Sequence, residues 1–324
     1  MKFVRMLSLV ILGLGGLIPF ATISLAQTPP KPATAAPPLA PLPGDLQVTH
    51  DVEIGKGGDT VLHAEIVEPK DSKKALGRAI IYVHGGGWKG GTNKVDVVRT
   101  YFLAQAGYLV ASIEYRLSTT APWPAQLEDC KLGVRWLRAN ADKYHIDPAH
   151  IGLYGHSAGG HLVACLGTMD DPKYEGAGGY AGVSSKVQAI VDTSGPVDFR
   201  AGNFYDGSTY TKAKGAYSDD LLLTLFGTPF AKNPALWAEG SPVTHVQAGD
   251  PPFFIASGEI DPIVSPVQGK TLADALEKAG VPVEFVFVKN ANHGLGGLPG
   301  GPASDPSPGE LRKRMLAFYA KYLL

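Results

Sequence analysis

A chain of 324 residues, 44% hydrophobic and 18% charged, has enough apolar mass for a large core and too little charge for a disordered chain. Its net charge of −1 excludes the basic footprint that nucleic acid or an anionic membrane would require. Forty glycines predict many turns and at least one close approach of backbone to a ligand.

The first residues read as a secretory signal over 1–26. Lys2 and Arg5 supply positive charge, Met6 to Ile23 is an apolar run, and Ser24-Leu25-Ala26 offers a small-x-small cleavage site before Gln27. The run is nearly long enough to span a bilayer, so a permanent anchor is the rival reading. Pro19 and the small residues near Ala26 favour cleavage, which predicts a secreted or periplasmic protein with no stable membrane span. Residues 27–44 are rich in Pro and Ala and should form an extended tether to a single domain over 45–324.

Leu46 to Ile54 and Thr60 to Glu68 alternate in polarity about Gly57-Gly58-Asp59, which predicts an opening antiparallel hairpin. Ala79 to Val83 and Tyr108 to Ile113 are short apolar runs suited to buried parallel strands, with a helix over Val95 to Gln105 between them. Gln126 to Ala139 has helical spacing of Leu127, Cys130, Val134 and Leu137. Strands are then expected at Ile151 to Tyr154, Val187 to Asp192, Phe253 to Ser257 and Val283 to Val288. Helices are expected from Ser157 to Gly167, Val264 to Lys278 and Glu310 to Leu324. This alternation predicts an α/β fold with a mostly parallel, eight-stranded sheet flanked by helices. The stretch 199–245 breaks the rhythm and reads as a small cap-like insertion or pocket wall.

Chemistry concentrates in four places. Gly155-His156-Ser157-Ala158-Gly159 matches G-x-S-x-G, a weak signal alone, but it lies between a predicted strand and a predicted helix. A serine on such a sharp turn is pushed out at the carboxyl edge of the sheet, above a helix N-terminus whose dipole favours negative charge. His84-Gly85-Gly86-Gly87-Trp88 follows another strand, and its glycines leave backbone N–H groups free to face a substrate oxygen. The N–H groups of Gly86, Gly87 and Ala158 are the candidate oxyanion donors. A phosphate loop would want a Lys-Ser/Thr pair, which is missing. Asp261 and His293 each stand just past a predicted strand, so both emerge at the same sheet edge as Ser157. His293 is then the expected base for Ser157 and Asp261 the acid that orients it, with Glu259 as the competing acid.

These segments resemble the esterase/lipase branch of the α/β-hydrolase superfamily. The His84 to Trp88 segment is similar to the hormone-sensitive-lipase-like carboxylesterases, although that group usually carries Asp where this chain has His156. Gly155 to Leu162 is more similar to the feruloyl/acetylxylan-esterase-like (BD-FAE-like) group and to kynurenine formamidases. The resemblance implies hydrolysis of a carboxylic ester through an acyl-enzyme, without cofactor, on a small-molecule or polysaccharide-linked ester. An arylformamidase or amidase with the same triad, and a non-catalytic binding protein of the same fold, are the alternatives.

Trp88, His156, Tyr205 and Tyr210 are candidate substrate contacts, with Trp123 as a further aromatic and Trp237 as the anchor of the insertion. For the tryptophans core packing is the competing role. His156 and His161 could instead pack beneath the elbow, and His84 could brace the glycine loop. The remaining histidines show no metal-ligand spacing, so no metal site is expected. Export would permit a disulfide between Cys130 and Cys165; their apolar surroundings favour free buried thiols instead.

Overall fold

The computed structural model describes residues 41–201 and 220–323. The expected signal and most of the tether lie outside these residues, as do Tyr205 and Tyr210. Among the described residues no helix is long and apolar enough to cross a membrane.

The opening hairpin forms as β1 (Leu46–Gly57) and β2 (Thr60–Pro69). It joins a sheet continued by β3 (Ala79–Val83), β4 (Leu109–Ile113), β5 (Ile151–His156), β6 (Ala189–Thr193), β7 (Phe253–Gly258) and β8 (Val283–Val288). The strand order is β1-β2-β4-β3-β5-β6-β7-β8. β2 runs antiparallel to β4, and the six strands from β4 to β8 in that order are parallel. Every residue of β3, β4, β5 and β6 is buried, as apolar runs covered on both faces must be.

Alternation within each strand divides the core. Ile80, Tyr82 and Val191 pack on one face with α8 (Pro308–Tyr322), through Leu311, Met315, Phe318 and Tyr319. Ile81, Val83 and Ile190 face α3 (Ala125–Ala139), α4 (Ala158–Thr168) and α7 (Pro266–Lys278). Two period-2 faces, each met by apolar helix stripes, make the sheet a buried middle layer.

The helix expected over Val95 to Gln105 is broken. Residues Asn93–Asp96 form α1, Val97–Thr100 wind as a 3-10 turn, and Tyr101–Gln105 form α2. Tertiary ties interrupt it: the carbonyl of Asn93 accepts from Ser112 Oγ at 2.9 Å, and Asp96 Oδ2 accepts from the Gly85 N–H at 3.2 Å. The described part of the insertion is folded rather than irregular. A helix over 220–226 (α5) and α6 (Pro234–Glu239) pack by Leu222, Leu225, Phe226 and Trp237 into the α3/α4 side of the core.

One buried carboxyl group stands out in this core. Asp192 on β6 has no exposure; its Oδ1 accepts from the Gly195 N–H at 3.0 Å, and its Oδ2 has no partner among the described residues. Burial pushes its carboxyl up to about 7, with the Gly195 bond pulling the other way. The native state therefore holds a proton that the unfolded chain, titrating near 3.9, has released, and stability falls as pH rises from about 4 to about 7. That shift corresponds to about 4 kcal/mol. Asp192→Asn should remove this slope, so the variant gains on the wild type between pH 5 and pH 8 in urea unfolding. Parallel stability profiles for the two proteins would refute a proton on Asp192.

Candidate active site

Ser157 stands at the end of β5, where the chain turns directly into α4. Its backbone adopts φ 58°, ψ −121°, a region L-residues rarely occupy. The turn closes only because its flanks lack side chains. A Cβ on Gly155 would meet Gly159 O at 2.1 Å, and one on Gly159 would meet Val83 O at 2.0 Å. His161 N–H bonds Ser157 O at 3.1 Å and starts the helix. The Ala158 N–H belongs to the first turn, where helix donors have no intrahelical partner.

His293 follows β8 and Asp261 follows β7. His293 Nε2 lies 2.8 Å from Ser157 Oγ, and its Nδ1 lies 2.7 Å from Asp261 Oδ2. The other carboxylate oxygen of Asp261 accepts from the N–H groups of Ile263 and Val264, at 2.8 and 3.0 Å. Asp261 is 1% exposed, so its charge is spent on these donors and not on water. A carboxylate facing Nδ1 makes that nitrogen the N–H donor and leaves Nε2 as acceptor for the serine proton. Glu259 is turned elsewhere: its Oε2 accepts from the Asn290 N–H at 2.8 Å.

The glycine loop leaves β3 beside this group. Gly86 and Gly87 have φ of 119° and 60°, and a Cβ on Gly85 would stand 3.2 Å from Ser157 Cβ. The N–H groups of Gly86, Gly87 and Ala158 donate to no backbone carbonyl among the described residues. A pocket of about 340 Å³ opens here, lined by all three of these residues together with Ser157 and His293. The arrangement joins a hydroxyl, a base with an oriented lone pair and a group of N–H dipoles, the set that acyl transfer to serine uses.

The other predicted residues divide. His156 lines the pocket, with its ring centroid 5.0 Å from that of His293. Burial first, then the charge of Arg99, then His293 hold its pKa well below the usual imidazole value. Thr193 Oγ1 donates to Gly155 O at 3.0 Å, so it accepts from His156 Nδ1 at 3.2 Å, and Nε2 of this neutral ring is an acceptor. Trp88 reaches the pocket but is no open aromatic wall: its indole is 1% exposed and donates to His161 Nδ1 at 3.1 Å. His161 in turn donates from Nε2 to Gly240 O at 2.8 Å, and burial lowers its pKa to about 4. One neutral histidine thus ties the glycine loop, α4 and the end of α6 together. His84 donates through Nδ1 to Gly85 O at 2.8 Å and stacks on Tyr115.

Trp123 is buried against His161 and Phe226 and has no place in the pocket. Trp237 stacks on Phe226 at 5.1 Å and donates to Thr228 O at 3.0 Å. Cys130 and Cys165 are free and buried, with burial pushing both thiols far up.

Four pocket or support residues had no sequence signal of their own. Ser194 donates from Oγ to His293 O at 3.1 Å. Leu221 covers Gly87, whose added Cβ would meet it at 2.9 Å, so the described part of the insertion does supply a wall. Asp96 holds the Gly85 N–H, and Arg99 lines the pocket.

Comparison with known proteins follows the same outline. The chain is similar to a truncated form of a carbohydrate esterase from gut microbiota, with 30% identity and a TM-score of 0.71 over 85% of this chain and 95% of that one. It is similar to Thermogutta terrifontis esterase 2 phosphonylated by sarin, with 27% identity and a TM-score of 0.62 over 79% of this chain and 87% of that one. Esterase LipC of Mycobacterium tuberculosis is 28% identical over 82% of this chain and 64% of its own length. The curated relatives run longer: the chain spans 50% of one and 56% of another. A family model, BD-FAE, matches residues 64–276, from β2 through the serine turn and Asp261 into α7. A match over that much of the sheet and its connections places this chain in the BD-FAE family, on an α/β-hydrolase fold.

Proposed function

We propose that this protein hydrolyses carboxylic esters through an acyl-enzyme on Ser157, with His293 as base and Asp261 as the acid that orients it. The observation that carries this reading is the unbroken chain Ser157 Oγ, His293 Nε2, His293 Nδ1, Asp261 Oδ2, at 2.8 and 2.7 Å. Ser157 Oγ attacks the carbonyl carbon while its proton passes to Nε2. The imidazolium that forms is stabilised by Asp261, and the carbonyl oxygen, now anionic, sits against the N–H groups of Gly86, Gly87 and Ala158. Collapse breaks the bond to the alcohol oxygen, which leaves with the proton from Nε2. Water then repeats the sequence on the acyl-serine and releases the acid.

Similarity to an esterase phosphonylated by sarin supports a nucleophile of this reactivity. Similarity to a carbohydrate esterase supports an ester borne on a saccharide, acetyl or feruloyl. The signal read over 1–26 would carry the enzyme out of the cytoplasm, where polymeric saccharides are met.

The test is turnover by purified protein of nitrophenyl esters of increasing chain length, beside methyl ferulate and acetylated xylan. Activity should be highest on short acyl groups or on the saccharide esters, and a fluorophosphonate should label Ser157 stoichiometrically and stop it. Hydrolysis of none of these, with cleavage of N-formyl aryl amines instead, would move the assignment to an amidase.

A further inference from the structure

The pocket is chemically mixed. Its lining combines apolar Ile263, Val264 and Leu221 with the polar or charged Asp96, Arg99 and His156. Arg99 is the cation of this set. Its Nε stands 3.6 Å from Asp96 Oδ1, beyond hydrogen-bond length, and its side chain is 37% exposed toward the pocket and solvent. Asp96 is shared: its Oδ2 accepts from the Gly85 N–H at 3.2 Å and from the Tyr82 hydroxyl at 3.4 Å, while Oδ1 forms the long ion pair with Arg99. Among the described residues the Arg99 side chain has no polar contact closer than this ion pair with Asp96. Among the described residues the terminal nitrogens of its guanidinium therefore have no hydrogen-bond partner, and they border the concavity that holds Ser157.

An ester bond itself has no use for this charge. The developing oxyanion has its own donors, and an extra cation beside the histidines disfavours protonation of His156. A planar fork of N–H donors in a concave site is instead suited to a carboxylate, which it grips with two parallel bonds. Within such a cleft the positive potential is also focused more than on an open surface.

Resting on the ester-hydrolase reading above, we propose that Arg99 binds a carboxylate of the substrate, so that the enzyme selects esters bearing an acidic group next to the scissile bond. That carboxylate could stand on the acyl side, as in the half-ester of a dicarboxylic acid, or on the alcohol side, as in an acylated uronic acid. The recognition chemistry is the same, and two substrate pairs separate the sources. The first pair is the 4-nitrophenyl half-ester of glutaric acid against its neutral methyl ester. The second is an O-acetylated methyl glucuronoside against the matching O-acetylated methyl glucoside.

The wild type should favour the acid in one pair by about 10-fold or more in kcat/KM, and that preference should shrink as salt is raised. In Arg99→Gln the loss on the acid should exceed the loss on its neutral partner by about 10- to 100-fold, as expected for one charge-assisted contact. The excess should fall on KM, and Arg99→Lys should recover part of it. Equal losses on acid and neutral ester would make Arg99 a brace for Asp96 and overturn the inference, as would absence of an acid preference in both pairs. If neutral esters turn over through Ser157 meanwhile, the hydrolase reading stands and only this one falls. Absence of turnover on every ester removes both.

Discussion

Ser157→Ala abolishes ester hydrolysis and leaves the fold in place. The expected loss in kcat is about 10³-fold or more, because the remaining N–H donors still favour attack by water but no acyl-enzyme forms. Binding should survive, since no described hydrogen bond that supports the fold uses Ser157 Oγ; its partner is His293 Nε2. The strained φ of 58° persists in the variant, because alanine keeps the Cβ that makes this backbone costly. The melting temperature should therefore stay within a few degrees of the wild type. Ser157→Gly is the informative companion: it is equally inactive, yet relief of about 1–3 kcal/mol of backbone strain should make it more stable. Residual activity near the wild-type rate in either variant would remove Ser157 from the reaction.

The parts of this molecule legible from sequence are those whose cause is local. β3, β4, β7 and β8 are continuous or alternating apolar runs between turn residues, and each appears within about a residue of its expected bounds. The meeting of Ser157, Asp261 and His293 followed from topology alone, since parallel strands deliver their following loops to one edge. What could not be read depends on partners distant in sequence. Whether Trp88 faces substrate or core is decided by His161, 73 positions away. The break between α1 and α2 is imposed by Ser112 and Gly85, neither of which is visible to a helical periodicity count. Arg99 is a surface-type residue in a short helical stretch, and only the folded glycine loop beside it makes it part of a pocket.

The same distinction makes Gly159 a sensitive backbone position near the site. In sequence it is one glycine among forty, in a segment rich in them. In the fold it lies in the first turn of α4 at the point where that helix crosses the end of β3. A methyl group there would stand 2.0 Å from Val83 O, 2.7 Å from Val83 C and 2.7 Å from His84 O. These are backbone atoms of a central, fully buried strand and of the residue that follows it, and no rotamer change can withdraw them. Accommodation requires α4 to lift from β3, which moves Ser157 and the Ala158 N–H away from His293 and the Gly86–Gly87 pair. Gly159→Ala should therefore cost about 3 kcal/mol or more in stability, at the upper end of what single substitutions do. In any fraction that folds, turnover should fall by about 100-fold or more, because displacements near 1 Å at reacting groups have that effect. Urea unfolding and active-site titration with a fluorophosphonate on the folded fraction measure the two consequences separately. Gly249→Ala is the control: there an added Cβ meets nothing within 4 Å, although its φ of 93° costs some strain. If Gly159→Ala proves no more destabilising than Gly249→Ala, the close approach of α4 to β3 is not what holds the serine turn in place.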